Sequence, residues 1–211
     1  MSDTWEQYDY FPSSVYILKK PEFLESVKTV AYEYLDNIKR EVKLNDIYPM
    51  YHTDSFSHEE RLLDFTSYVA NTGWNVLNNQ GFNMNDKQTF FMMMWLQYHY
   101  KYSSMEQHVH PFGCKIVGFY ILEAPEKCSR MVLHDPRPGK VQDGFGADLK
   151  CQVEHSTDRI YFDLKPGMLI FTNSWLPHSF TKNASDNPFS FVHFNMGVRD
   201  YYPPPPPAEV I

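Results

Sequence analysis

Only three cysteines, Cys114, Cys128 and Cys151, occur in 211 residues. Their number is odd and no two share a Cys-x-x-Cys spacing. That excludes a disulfide framework or a zinc knuckle and points to reduced thiols in a cytoplasmic protein. Long apolar runs are missing as well. The most hydrophobic stretch, Phe90–Leu96, falls far short of the roughly 20 residues that cross a bilayer. The opening Met-Ser-Asp-Thr-Trp-Glu has neither the positive n-region nor the apolar core of a secretion signal, so a cytoplasmic location is expected and no membrane partner. Basic residues are in deficit, 19 against 26 acidic for a net charge of −7. That balance argues against a general nucleic-acid binder or a polybasic membrane binder. No internal repeat is visible.

Aromatic residues, in contrast, are plentiful: 16 Phe, 15 Tyr and 4 Trp, or 17% of the chain. This is a composition for a β-rich, densely packed core and not for a disordered chain. A chain of this length buries roughly two-thirds of its unfolded surface on folding, so no covalent or metal staple is required.

Two textures divide the sequence. From Pro21 to about Lys43 the apolar positions Phe23, Val27, Val30, Ala31, Tyr34, Leu35, Ile38 and Val42 recur at three- and four-residue spacing, which predicts an amphipathic helix. A second helix is predicted from about Ser57 to Leu77, with Ser57 as N-cap and Glu60 three residues on. After Lys87 the pattern changes to short apolar or alternating runs. These predict strands near 89–101, 114–122, 130–134, 159–164, 168–172 and 189–195. Ala124–Lys127, Pro136–Lys140, Asp143–Gly146 and Lys182–Pro188 read as connections. Helices followed by many short strands suggest a mainly β fold, a jelly roll or barrel buttressed by N-terminal α-helices. The expected organisation is a single domain over 1–200, with 20–85 as helical support and 88–198 as the β core. The proline-rich tail 201–211, with five consecutive prolines at Pro203–Pro207, should lie outside that core.

The chain has nine histidines. His52, His58, His99 and His155 sit in polar or loop contexts that favour the surface. His108 and His110 differ: two residues apart on an extended chain, they point to one face and can chelate one ion together. The plainer alternative is a pair lying side by side on an exposed strand end. A third histidine adds weight. Lys165–His178 reads as a turn, a hydrophobic strand and a loop ending in His178, with room for several strands to carry the chain across a barrel and back. Two ligands from one strand and a third from a distant one leave half an octahedron open. A non-haem Fe(II) oxygenase uses that facial arrangement to take up a cosubstrate and dioxygen.

The stretch from about Trp95 to Asn195 resembles the Fe(II)/2-oxoglutarate-dependent dioxygenase superfamily, in its prolyl-hydroxylase-like branch of small bacterial and phage proteins. The matching pieces come in order. Gln107–Pro111 is of the HxD type, Val117–Pro125 is similar to the family's strand ending in proline, and Met131–Arg137 resembles its DPR segment. Pro166–Phe171 leads to Leu176-Pro177-His178, and Phe189–Asn195 is similar to the family's closing strand. The resemblance implies a double-stranded β-helix of cupin-like type, with Fe(II) and 2-oxoglutarate as cofactor and cosubstrate. His108 and His178 match the two histidine ligands. His110 stands where most members have a carboxylate, and Asp135 is the alternative source of one.

The resemblance also implies an Arg for the distal 2-oxoglutarate carboxylate about ten residues after the last histidine. Pro188 stands there, with Ser190 matching the serine of the R-x-S pair. Arg137 is the first choice to compensate, then Lys115 or Lys182. Tyr98 and Tyr120 could donate hydroxyl hydrogen bonds to the same ligand or simply pack in the core. The implied reaction is oxidative decarboxylation of 2-oxoglutarate with hydroxylation of a C–H bond. Its substrate would be a prolyl residue of a peptide or protein, or else a small molecule. A cupin-like three-histidine metalloenzyme without 2-oxoglutarate and a non-catalytic barrel used for binding remain the rival readings. The proline run is either a self-substrate or a solvated spacer, and the oligomeric state is not legible.

Overall fold

A computed structural model describes residues 6, 8–139, 153 and 155–201. The predicted connection at 143–146, Cys151 and the proline run lie outside them. The first predicted helix is α1, Leu24–Glu41, preceded by a 3-10 turn at Pro21–Phe23 whose proline fits the first helical position. Its spacing works as read, and Val27, Val30, Ala31 and Leu35 are buried. The second is α2, Leu63–Asn79. It starts later than the sequence suggests, after a 3-10 turn at Glu60–Leu62, and no side chain caps it. Ser57 is therefore not the N-cap; its hydroxyl faces that of Ser55 at 3.4 Å.

Ten strands are present among the described residues: β1 Val15–Lys19, β2 Met50–His52, β3 Lys87–His99, β4 Met105–His108, β5 Ile116–Glu123, β6 Met131–His134, β7 Arg159–Phe162, β8 Met168–Asn173, β9 His178–Phe180 and β10 Phe189–Asp200. Six coincide with the predicted runs. The other four, β1, β2, β4 and β9, are three to five residues long, too short for period-two alternation to stand out. One of them, β2, comes from the stretch expected to be helical support and β1 just precedes it; the two form the edges of the larger sheet.

That sheet runs β1-β8-β5-β10-β3-β2, and a smaller one runs β4-β9-β6-β7, all pairings antiparallel. No strand among the described residues ties the two into a closed barrel. Alternation along the central strands sorts side chains between two cores. Ile116, Tyr120 and Leu122 of β5 and Val192, Phe194 and Met196 of β10 join the layer built with α1 and α2. Val117, Phe119, Ile121, Phe189 and Phe191 face the smaller sheet, with Met131, Leu133 and Phe180. A sheet covered on both faces needs apolar residues at every position, which is why β5 reads as an unbroken hydrophobic run. Gly118 interrupts it for space: a Cβ there would lie 2.1 Å from the Phe194 ring and 2.9 Å from the Ile170 carbonyl. The fold is thus mainly β, two facing sheets with a helical layer against the larger one, as the sequence suggests.

Candidate functional site

The smaller sheet brings the histidines together. His108 ends β4 and His178 begins β9, and the two stand directly opposite in the β4–β9 pairing. His110 follows the strand, where its backbone N–H donates to the Ser174 carbonyl (3.0 Å) and ties this loop to the one after β8. Nδ1 of His108 donates to the Glu106 carbonyl at 2.8 Å, and Nδ1 of His178 to the Leu176 carbonyl at 3.0 Å. A carbonyl can only accept, so both rings carry their proton on Nδ1 and keep an Nε2 lone pair free. One nitrogen from each of His108, His110 and His178 lies within 4.8 Å of the others, and the Nε2 atoms of His110 and His178 are 3.3 Å apart. Two imidazole nitrogens about 2.1 Å from one ion and at right angles stand about 3.0 Å apart, so the set fits a divalent metal.

Burial, and then repulsion from the neighbouring imidazoles, pushes His110 down to about 3. Burial does the same for His178, to about 4. Both rings are neutral near pH 7, the form that binds a metal. The loops carrying the three histidines also present exposed Val109, Phe112 and Trp175.

Behind the histidines the space between the sheets is aromatic. Phe180 stacks on Phe191 at 4.7 Å, and Phe119 lies edge-on to Phe180 at 5.5 Å and to His178 at 5.3 Å. His99, which the sequence context assigns to the surface, is fully buried at the far end of this layer. Its ring nitrogens bond Ser103 (2.9 Å) and Gln97 (3.1 Å), and burial pushes it down to about 3. The sequence reading misses a fourth histidine near the three. His193 of β10 stacks on Phe119 at 4.4 Å and meets Trp95 edge-on at 4.5 Å, with its ring centre 5.0 Å from that of His110. Its signal was the alternation of β10, which turns 189, 191, 193 and 195 to one face.

The remaining sequence candidates lie elsewhere. Tyr98, Tyr120 and Ser190 project from the opposite face of the large sheet, toward the helices. Tyr98 packs edge-on against Tyr32 (6.0 Å) with Lys39 Nζ 4.7 Å from its ring. The Tyr120 hydroxyl donates to the Lys20 carbonyl (2.6 Å), and Ser190 Oγ lies 3.1 Å from the Tyr32 hydroxyl. Lys115 and Lys182 are exposed. Arg137 clasps Asp135 with its guanidinium, Nε 2.9 Å from Oδ1 and Nη2 2.6 Å from Oδ2, and Asp135 stands outside the three-histidine group. The pair lines a cleft of about 510 Å³ together with Val15, Leu133 and Leu176, and Leu133 stands opposite His178 in the β6–β9 pairing. No Lys or Arg is buried among the described residues.

Residues 93–195, which hold all four of these histidines, match the family model described as "Putative 2OG-Fe(II) oxygenase". A search of curated proteins finds no match. Among solved structures, AviO1 from Streptomyces viridochromogenes Tue57 superposes with a TM-score of 0.61 at 11% identity, over 92% of this chain and 93% of that one. A Pseudomonas putida prolyl-4-hydroxylase gives 0.55 at 9% identity, over 90% and 94%. The epimerase SnoN, solved in complex with Fe3+, alpha ketoglutarate and nogalamycin RO, gives 0.57 at 11% identity, over 90% and 82%. At these identities the structural likeness establishes the fold, and the family rests on the sequence match. Residues 93–195, just under half of the chain, thus carry the sequence pattern of the 2-oxoglutarate–Fe(II) oxygenases, oxidoreductases on a double-stranded β-helix that use iron and 2-oxoglutarate.

Proposed function

We propose that this chain hydroxylates a C–H bond of an organic substrate, with His108, His110 and His178 holding the iron. The convergence of three imidazole nitrogens from β4, the loop after it and β9 carries the reading. When bound, Fe(II) and 2-oxoglutarate together supply the oxidising power drawn from dioxygen. The protein's part is to hold His108 and His178 by their Nδ1 protons to backbone carbonyls, to keep the rings neutral by burial, and to wall the site off with aromatic side chains.

Three protein ligands on one face leave positions for the keto and carboxylate oxygens of the cosubstrate. Its distal carboxylate needs a cation, because desolvating an unpaired carboxylate costs several kcal/mol. With Pro188 at the usual arginine position and no buried Lys or Arg among the described residues, the described candidates for that cation lie at the margin of the site. Arg137 is our candidate, since its cleft also contains Leu133 and Leu176, the neighbours of His178 in space and in sequence. A guanidinium fork already aligned by Asp135 matches a carboxylate bidentately. Exposed Val109, Phe112 and Trp175 support a substrate with an apolar face, either a proline-containing peptide or a small molecule.

One observation favours a second reading. Three neutral ligands with no buried cation behind them among the described residues suit a cupin-like metalloenzyme that works without 2-oxoglutarate. Anaerobic titration of the Fe(II)-loaded protein with 2-oxoglutarate separates the two. A saturable visible charge-transfer band supports the first. Bound iron without a band supports the second, and failure to bind iron leaves a barrel used for binding alone.

A further inference from the structure

The inner face of β10 holds two buried hydrogen-bond acceptors that no described residue satisfies. His193 is wholly buried, and its Nδ1 lies 2.8 Å from the Gly118 carbonyl. Because the carbonyl accepts, Nδ1 carries the proton and Nε2 is left with a lone pair. That Nε2 has no partner among the described residues. Two residues on, and therefore on the same face of the strand, Asn195 Oδ1 is equally buried and equally unpartnered. Buried polar atoms without partners are uncommon and ask for a cause.

Position supplies one. The His193 ring is pinned between Phe119 and Trp95 and stands beside His110, yet it does not join the group whose ligand atoms lie within 4.8 Å of one another. The ring therefore stands beside the three-histidine group and not within it. A neutral imidazole nitrogen and an amide oxygen both present negative potential. They attract a donor and repel an oxygen that carries only lone pairs.

We propose that His193 and Asn195 are positioning residues, an acceptor wall that takes a hydrogen bond from a water or hydroxyl bound at the metal. Their wall keeps carboxylate oxygens out of the coordination position beside β10. This rests on the reading of His108, His110 and His178 as metal ligands. It deepens that reading by fixing which side of the site an anionic ligand avoids: the cosubstrate's carboxylates turn away from β10.

The test uses Co(II) as a visible probe and sodium azide as an anion without a donor. Wild type, His193→Phe and Asn195→Leu are each loaded with Co(II) and titrated with azide. His193→Phe keeps the aromatic stack and removes the lone pair. We expect Co(II) affinity within about threefold of wild type and azide binding about tenfold tighter, a change of roughly 1.4 kcal/mol. Asn195→Leu should shift azide binding in the same direction, and it carries the test should His193→Phe fail to fold. Unchanged azide affinity in the folded variants overturns the proposal. Loss of Co(II) from folded His193→Phe also overturns it, by making His193 a direct ligand. Wild type that takes up no Co(II) sinks the metal reading itself, a result distinct from either.

Discussion

Two backbone carbonyls, those of Glu106 and Leu176, do much to prepare the three-histidine group, because each fixes which nitrogen of a ring is free. Hydrogen bonds of this kind are worth 10- to 100-fold in metal affinity at known sites, and a ligand should be worth more. His108→Ala is therefore expected to weaken Fe(II) binding by at least about a hundredfold. The half-buried ring leaves little cavity behind, so the midpoint of unfolding of the metal-free protein should hardly move; calorimetric titration and a thermal melt check the two halves. His110→Asp tests the departure from the family pattern: an anion in place of a neutral ring should tighten Fe(II) binding, and unchanged binding would mean that His110 stands outside the metal's reach. The His108–His110 pair was legible because two residues on extended chain must share a face. His193 was not, since a lone histidine in an apolar run looks like core until β10 is seen to turn that position inward.

At the scale of elements, α2 and β5 give contrasting tests. An N-cap serine replaced by alanine costs roughly 1 kcal/mol. Since α2 starts at Leu63 without a capping side chain, Ser57→Ala should change stability by less than about 0.5 kcal/mol in urea unfolding. A loss near 1 kcal/mol would restore Ser57 as the cap. Gly118→Ala should behave oppositely. The added methyl meets the Phe194 ring and a backbone carbonyl, and overpacking of this kind costs about 1–3 kcal/mol. The Gly118 carbonyl also holds His193, so the same variant should disturb azide binding to the Co(II) protein. Long elements were legible because helical spacing and apolar runs have many residues in which to show themselves. In β9, three residues long, pairing with β4 and β6 does what periodicity could not.

Over the whole molecule, a metal at the three histidines would cross-link β4 to β9. A ligand that binds only the folded state stabilises it by about 2.7 kcal/mol at a hundred times its dissociation constant. Adding Co(II) should raise the melting temperature in a concentration-dependent way, EDTA should reverse the shift, and His108→Ala should abolish it. Acid should act in the opposite sense. His99 is held at about 3 by burial, with a smaller contribution from His52, whereas the unfolded chain protonates it near 6.5. Below that value the unfolded state takes up a proton that the folded state refuses. The share of stability that His99 contributes is therefore full above about pH 6.5 and is lost as pH falls toward 3, at up to about 1.4 kcal/mol per unit. Denaturant midpoints of the metal-free protein between pH 7.5 and 5 should show this slope, flattened in His99→Leu; an equal slope in the variant would exonerate His99.

By itself the sequence determined the mainly β fold with a helical layer, the apolar strands β5, β8 and β10, and the three histidines worth testing. Each of these follows from local spacing and from the chemistry of a residue type. Tertiary structure alone decided which face of a strand each side chain takes. That choice sends Tyr98, Tyr120 and Ser190 toward the helices, puts His99 in the core, and sets His193 beside His110 with Asn195 on the same face of β10. Facing is settled by register between strands far apart in sequence, where a shift of one residue exchanges inside for outside. No local pattern carries that information when both faces of a sheet are buried.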